Sequence, residues 1–140
     1  MFPNFGDPTL FRLIAALAII AISLLMFRLI NHLLLNRARP QSKRLQLSSH
    51  DKPVLLYFTT PTCAPCKTVQ RPAIQRLLEL VGGQLEVIEI DASAQPELAS
   101  QWGVWSVPTT FIIDPSGKPR HVNHGLTSAE KLLNQFKKIN

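Results

Sequence analysis

The dominant feature in the pattern of apolar and polar positions is an almost unbroken apolar run from Leu10 to Phe27, centred on Leu13-Ile14-Ala15-Ala16-Leu17-Ala18-Ile19-Ile20-Ala21-Ile22. As a helix it is about 27 Å long, close to the hydrocarbon thickness of a bilayer. Arg12 and Arg28 stand near its ends, where their side chains can snorkel to the interface. Weaker apolar character continues through Leu29, Ile30, Leu33, Leu34 and Leu35. The pattern therefore predicts a short tail over 1–9 and a transmembrane helix with an interfacial extension over 10–35. A buried core helix competes, but the segments downstream already supply enough helices to cover a sheet. A cleaved signal peptide is disfavoured because the run ends in large residues and Arg28, with no small-x-small site. Residues 36–52 read as a basic linker interrupted by Pro40, and 53–140 as one domain.

Within that domain the periodicity changes. Val54-Leu55-Leu56-Tyr57-Phe58, rich in β-branched and aromatic residues, predicts a strand. After a short turn, Val69, Ala73, Ile74, Leu77, Leu78, Leu80 and Val81 are spaced for one buried helix face, kinked by Pro72 and ended by Gly82-Gly83. Leu85 to Asp91 alternates in the manner of a strand covered on both faces. Ser93 to Gln101 is a short helix with Pro96 near its first turn. Thr127-Ser128-Ala129-Glu130 has the spacing of a capping box before a last helix with Leu132, Leu133 and Phe136 on its apolar face. Lys137 and Lys138 suit the negative end of its dipole.

Composition adds little by itself: 46% hydrophobic residues and a net charge of +6 identify no partner. The cysteine count adds a great deal. There are only two, and both lie in Thr62-Cys63-Ala64-Pro65-Cys66-Lys67, directly after the first strand. A strand–turn–helix reading puts Cys63 at the helix start and Cys66 one turn on, on the same face. Thiols so placed can close a small disulfide ring or open it. Free N–H groups and the positive end of the dipole favour a thiolate at Cys63, the attacking species in disulfide exchange. Lys67 adds positive charge, and Pro65 lacks an N–H that the first turn would leave unpaired. Cys66 is placed to attack a mixed disulfide at Cys63.

Over about residues 53–138 this chain resembles the thioredoxin family. The resemblance rests on C-A-P-C-K after a strand, the second strand, and then Trp102-Gly103-Val104-Trp105-Ser106-Val107-Pro108-Thr109. A hairpin follows, Thr110 to Ile113 and Arg120 to His124 about Asp114-Pro115-Ser116-Gly117, then Gly125 and a helix. The resemblance implies an α/β thioredoxin fold, a central mixed sheet flanked by helices. Only Leu45-Gln46-Leu47 is available for the family's opening strand, so the N-terminal strand–helix unit is shortened or absent. The family's pattern makes the bond before Pro108 cis, with Val107, Pro108 and Thr109 as a platform for an extended substrate segment. Trp105 is either a substrate-contact aromatic or a partly buried packing residue, and Trp102 belongs to the core. Thr62 stands where many members carry tryptophan, so Trp105 and Pro61 re-form the apolar rim. The family's buried acid falls at Tyr57, a poor base near neutral pH. Glu89 is its candidate substitute for proton transfer, against the alternative of a solvated strand-edge carboxylate.

The expected activity is that of a membrane-anchored thiol-disulfide oxidoreductase acting on protein disulfides, in the reducing direction. It would need no metal or organic cofactor. Its partners would be protein substrates, an electron-donating reductase or membrane electron carrier, and the lipid bilayer, with the protein itself a monomer. The rival is a tethered metallochaperone or redox-gated binding protein using the same pair. A zinc site joining the cysteines to His121 and His124 is disfavoured, since residues three apart on a strand face opposite ways. Arg28, Arg37, Arg39, Lys43 and Arg44 after the helix outweigh Arg12 before it, which places the domain in the cytoplasm. An extracytoplasmic domain is the alternative that the family suggests. Beside a membrane helix the basic run contacts anionic headgroups more simply than nucleic acid.

Overall fold

The computed structural model describes residues 8–44 and 51–139. The chain divides into two compact units, Met1–Leu33 and Leu34–Asn140. Helix α1 spans Pro8–Arg44, and its stretch Thr9–Asn36, with mean hydropathy 2.7, is long and apolar enough to cross a membrane. Its apolar side chains are exposed on every side, from Leu10 and Phe11 to Ile30 and Leu33, and so form no single amphipathic face. The hydroxyl of Ser23 donates to the Ile19 carbonyl at 2.8 Å, so the polar side chain is satisfied within the helix.

Residues 36–44, expected as linker, instead continue the helix through Pro40 to Arg44. Proline removes one backbone donor, while Arg37, Ala38, Arg39, Gln41 and Lys43 are all good helix formers. The short strand expected at Leu45-Gln46-Leu47 lies outside the described residues.

The second unit is built on four strands among the described residues: β1 (Val54–Thr59), β2 (Glu86–Asp91), β3 (Thr109–Ile113) and β4 (Pro119–His124). Their order is β2-β1-β3-β4, with β2 parallel to β1 and the other two pairings antiparallel. The sheet is therefore mixed, as expected. All six residues of β1 are buried, because strands flank it and layers cover both faces. On one face Leu56 and Phe58 meet Trp102, Phe111 and Val122; on the other Leu55 and Tyr57 meet Cys66, Ile74, Leu77, Leu132 and Phe136. As expected, β2 is covered on both faces: Ile88 and Ile90 pack on the face of Leu56 and Phe58, and Val87 on that of Leu55 and Tyr57. It is an edge strand, with Glu86 and Glu89 exposed and only Ile90 fully buried.

Helix α2 (Arg71–Val81) buries Ile74, Leu77 and Val81, but Val69 and Leu80 are exposed, against the expected face. A π-turn over Cys66–Gln70 precedes it, in which the Arg71 N–H donates to the Cys66 carbonyl. The wider turn places Pro72, which has no N–H, at the start of a fresh α segment instead of inside a continuous one. Helix α3 (Pro96–Gln101) begins later than Ser93, since Asp91 Oδ1 accepts from the Ser93 and Ala94 N–H groups and holds that stretch as a turn. In α4 (Ala129–Lys137) the cap is Ser128, whose hydroxyl accepts from the Lys131 N–H at 3.3 Å. The expected cap at Thr127 is displaced because Gln70 engages both its N–H and its carbonyl.

Burial of part of each ring pushes the His121 and His124 imidazoles below their ordinary value of 6.5, with Lys138 and Arg120 adding to the shift at His121. The unfolded chain then holds more protons below about 6.5, so stability falls as pH drops through that value. Hydrogen bonds from Ser93 hold Asp91 low. Those from Ser116, Lys118 and Arg120 hold Asp114 low despite its burial. Their contribution, present at neutral pH, is lost as pH falls below the ordinary value of 3.8. Melting temperatures of the full chain should decline in two stages between pH 8 and pH 3, and His121→Gln should flatten the upper one.

Candidate functional site: the paired cysteines and the proline loop

The site forms where β1 ends. Thr60 Oxygen on the backbone accepts the Cys63 N–H at 3.2 Å, turning the chain toward the helix. The Cys63 carbonyl accepts from the Lys67 N–H at 3.4 Å, which makes Cys63 the residue that opens the helix. Its Sγ takes the Cys66 N–H at 3.2 Å, the bond that a capping side chain makes with an orphan donor. Ala64, Pro65 and Lys67 are exposed around the pair, Pro65 having φ −64° and ψ −26° as the first turn requires. Cys63 and Cys66 are joined as a disulfide, with Cα atoms 5.3 Å apart. Cys63 is half-buried, whereas Cys66 is 0% exposed, so only one sulfur can be approached from outside.

The Val107–Pro108 peptide is cis. Thr109 Oγ1 donates to the Ser106 carbonyl at 2.7 Å, and the Pro108 carbonyl accepts from the Gly125 N–H at 2.8 Å, which fixes the loop from both sides. Pro108 and Thr109 are buried; Val107 is half-buried and packs, like Cys63, against the cluster that holds Cys66. The folded chain thus brings Cys63, Cys66 and Val107 to one cluster. Of the two readings of Trp105, partly buried packing is not what the fold gives: the residue is 83% exposed. Trp102 is fully buried, as expected.

Tyr57 lies in the cluster that holds Cys66. Its hydroxyl donates to the Cys66 carbonyl at 3.3 Å, and burial, reinforced by the Glu89 carboxylate, pushes the phenol above its ordinary value of 10.0. Glu89 lies opposite Tyr57 across the β1–β2 pairing, 42% exposed and paired with Arg71. Its surroundings are those of the solvated strand-edge carboxylate. Tyr57→Phe is expected to cost about 1 kcal/mol in a denaturation curve, the worth of one hydrogen bond, and to leave the pH profile of Cys63 alkylation in place. A profile moved by a full pH unit would return proton transfer to Tyr57, and the same measurement on Glu89→Gln decides for Glu89.

One pair of contacts had no signal in the sequence. Gln70, 0% exposed, accepts from the Thr127 N–H at 2.8 Å and donates to the Thr127 carbonyl at 3.1 Å. It ties the π-turn after Cys66 to the segment whose Gly125 holds Pro108. His121 and His124 lie on β4 opposite Ile112 and Thr109, and no cluster of three or more metal-ligating side chains occurs among the described residues.

The mixed sheet and the joined sulfurs at a helix start define a thiol–disulfide protein of α/β class. A thioredoxin family model matches residues 38–138. The chain belongs to the thioredoxin family. It is 33% identical over 105 residues to chloroplastic thioredoxin Y of Oryza sativa subsp. japonica, covering 70% of this chain and 61% of that protein. A thioredoxin-like protein of Synechocystis sp. is 30% identical over 90 residues, covering 64% of this chain and 84% of that one. The match spans 57% of thioredoxin 1 of Nostoc sp., at 36% identity over 62 residues and 44% of this chain. In fold, the chain resembles chloroplastic thioredoxin z, with a TM-score of 0.62 at 23% identity over 71% of this chain and 88% of that one.

Proposed function

We propose that this protein is a membrane-tethered thiol-disulfide oxidoreductase that reduces protein disulfides. The Cys63 thiolate attacks a substrate disulfide, forming a mixed disulfide and releasing one substrate thiolate. Cys66 then attacks Cys63 Sγ, which closes the internal disulfide and frees the second substrate sulfur. Two electrons pass to the substrate. An electron-donating reductase or a membrane electron carrier returns them to the pair. The observation that carries this reading is the Cys66 N–H donated to Cys63 Sγ at 3.2 Å, a bond that favours negative charge on the sulfur that is reachable.

Val107, Pro108 and Thr109 serve as the platform for the substrate segment, and Ala64, Pro65 and Lys67 shape the helix start. Residues Thr9–Asn36 cross the bilayer once, and the positive charge that follows them faces the cytoplasm, where reduction is favoured. The protein acts as a monomer with no cofactor beyond the dithiol and no nucleic-acid partner.

The test is turbidity of insulin reduced by dithiothreitol, with the full chain in detergent micelles. Acceleration should be lost in Cys63→Ser. A chain inert in this assay that binds one equivalent of Cu(I) would overturn the reading in favour of a metallochaperone. Thiol-reagent accessibility in sealed membranes tests sidedness: labelling only after permeabilisation from the cytoplasmic side supports the orientation, and labelling from outside reverses it.

A further inference from the structure

The buried line that starts at the inner cysteine runs Cys66, Gln70, Ile74, Leu77 and Val81. The others are apolar, whereas Gln70 is an amide and is 0% exposed. A buried amide costs free energy unless its ends are bonded, and leucine would fill the same space without that cost. What the amide adds is direction. Gln70 Oε1 accepts from the Thr127 N–H at 2.8 Å, and Nε2 donates to the Thr127 carbonyl at 3.1 Å, a clamp on the backbone of one residue. The Thr127 hydroxyl donates to the Gly125 carbonyl at 3.4 Å, and the Gly125 N–H donates to the Pro108 carbonyl at 2.8 Å. A hydrogen-bonded path therefore leads from the turn that carries Cys66 to the cis-proline loop. The Tyr57 hydroxyl also holds the Cys66 carbonyl, but that link reaches the loop only through the sheet.

Resting on the exchange reaction proposed above, we propose that Gln70 is a positioning residue. Its clamp on Thr127 fixes the distance between the attacking sulfur of Cys63 and the backbone at Val107 and Pro108. The reaction of a polypeptide needs that distance, because its disulfide must lie in line with the thiolate while its chain rests on the platform. A small aromatic disulfide meets Cys63 without touching the platform and is indifferent to the spacing. Gln70 thus sets how much faster peptide disulfides are cleaved than small ones, and leaves the nucleophile itself alone.

The test uses the full chain in detergent micelles, reduced with dithiothreitol and freed of it. Its substrates are dithionitrobenzoate and a peptide whose one cysteine is a mixed disulfide with thionitrobenzoate. Attack by Cys63 and resolution by Cys66 release both halves of either substrate as thiolates, and thionitrobenzoate absorbance gives the rate. Gln70→Met keeps the volume and removes both bonds. Its peptide-to-small rate ratio should fall about tenfold, with dithionitrobenzoate cleaved within about twofold of the wild-type rate. Gln70→Glu adds a rescue that mere filling of space would not show. When protonated, the introduced carboxyl accepts and donates as the amide does; when ionised, it offers only acceptors to the Thr127 carbonyl. Burial favours the protonated form, so the ratio should match the wild type at about pH 6 and fall about tenfold by about pH 9. Each rate is divided by that of the wild type at the same pH. The division cancels the other groups around the clamp: Cys63, Lys67 and Arg71 on its own segment, Tyr57 on β1, Arg76 on α2, and His124 and Glu130 on either side of Thr127. An unchanged ratio in Gln70→Met would overturn the clamp, as would a Gln70→Glu ratio that does not move with pH. Equal losses on both substrates would overturn it too, by making Gln70 a support of the fold alone. Failure of the wild type to cleave dithionitrobenzoate would overturn the exchange reaction and the clamp with it.

Discussion

A chain carrying Cys66→Ser should stop halfway through the reaction, holding its substrate on Cys63 as a mixed disulfide that survives a non-reducing gel. The companion variant, Cys63→Ser, should lose turnover by about three orders of magnitude or more, since a serine hydroxyl at the same place is not ionised at neutral pH. The asymmetry follows from access. Cys66 is 0% exposed and Cys63 is half-buried, so an incoming disulfide meets one sulfur first. Charge favours the same order, because the Cys66 N–H is donated to Cys63 Sγ and the first turn of the helix adds its dipole. On the reduced wild type, iodoacetamide at pH 7 should label Cys63 before Cys66 and several times faster than free cysteine. Equal labelling of the two, or a Cys63 rate no higher than that of the free amino acid, would remove the catalytic account. The trapped complexes from Cys66→Ser would also identify the substrates directly.

The parts legible in the sequence are those set by local pattern. Strand β1 could be read from Val54 to Phe58 because a strand buried on both faces needs an unbroken apolar run. The cysteine pair could be read because strand, turn and helix start are consecutive. The π-turn could not. An extra residue in a helical turn rotates everything across it by about 100°, and a search at a period of 3.6 averages over that step. Val69, within the π-turn, leaves the expected buried face for solvent, whereas Leu80, beyond the turn, lies off the face of Ile74, Leu77 and Val81 by ordinary helix geometry. Pro72 is the visible trace, and in a local pattern it predicts only a kink. The edge position of β2 was hidden for another reason: its lateral neighbours are set by strands elsewhere in the chain, which alternation within the strand cannot report. The Gln70–Thr127 contact joins residues 57 apart, so no local window contains it. Trp105 was ambiguous because an aromatic in a loop looks the same whether its ring turns inward or outward.

The largest expected loss of stability belongs to Trp102→Ala. Trp102 is 0% exposed, its ring centroid 6.2 Å from that of Phe58 and 5.0 Å from that of Phe111, which are themselves 6.0 Å apart. These three rings fill one face of the sheet, and removing the largest leaves a cavity that a sheet and a short helix cannot close. The cost should be about 3–5 kcal/mol, a large part of the 5–15 kcal/mol that holds an ordinary domain together. Trp102→Phe should cost markedly less. It keeps most of the ring volume and removes Nε1, a buried donor with no hydrogen-bond partner among the described residues. Urea denaturation followed by far-UV circular dichroism would order the three proteins as wild type, Phe, Ala. A Phe variant as unstable as the Ala variant would mean that the indole nitrogen has a partner, such as a buried water. The position also bears on the site. Trp102 leads directly into Gly103, Val104 and Trp105 and so to cis-Pro108, so loosening it frees the loop before that proline while leaving the helix that carries Cys63 in place. Trp102→Ala, assayed below its unfolding midpoint, should therefore lose rate against peptide disulfides while iodoacetamide still alkylates Cys63 at the wild-type rate. A parallel fall in both would place Trp102 in the support of the cysteine helix instead.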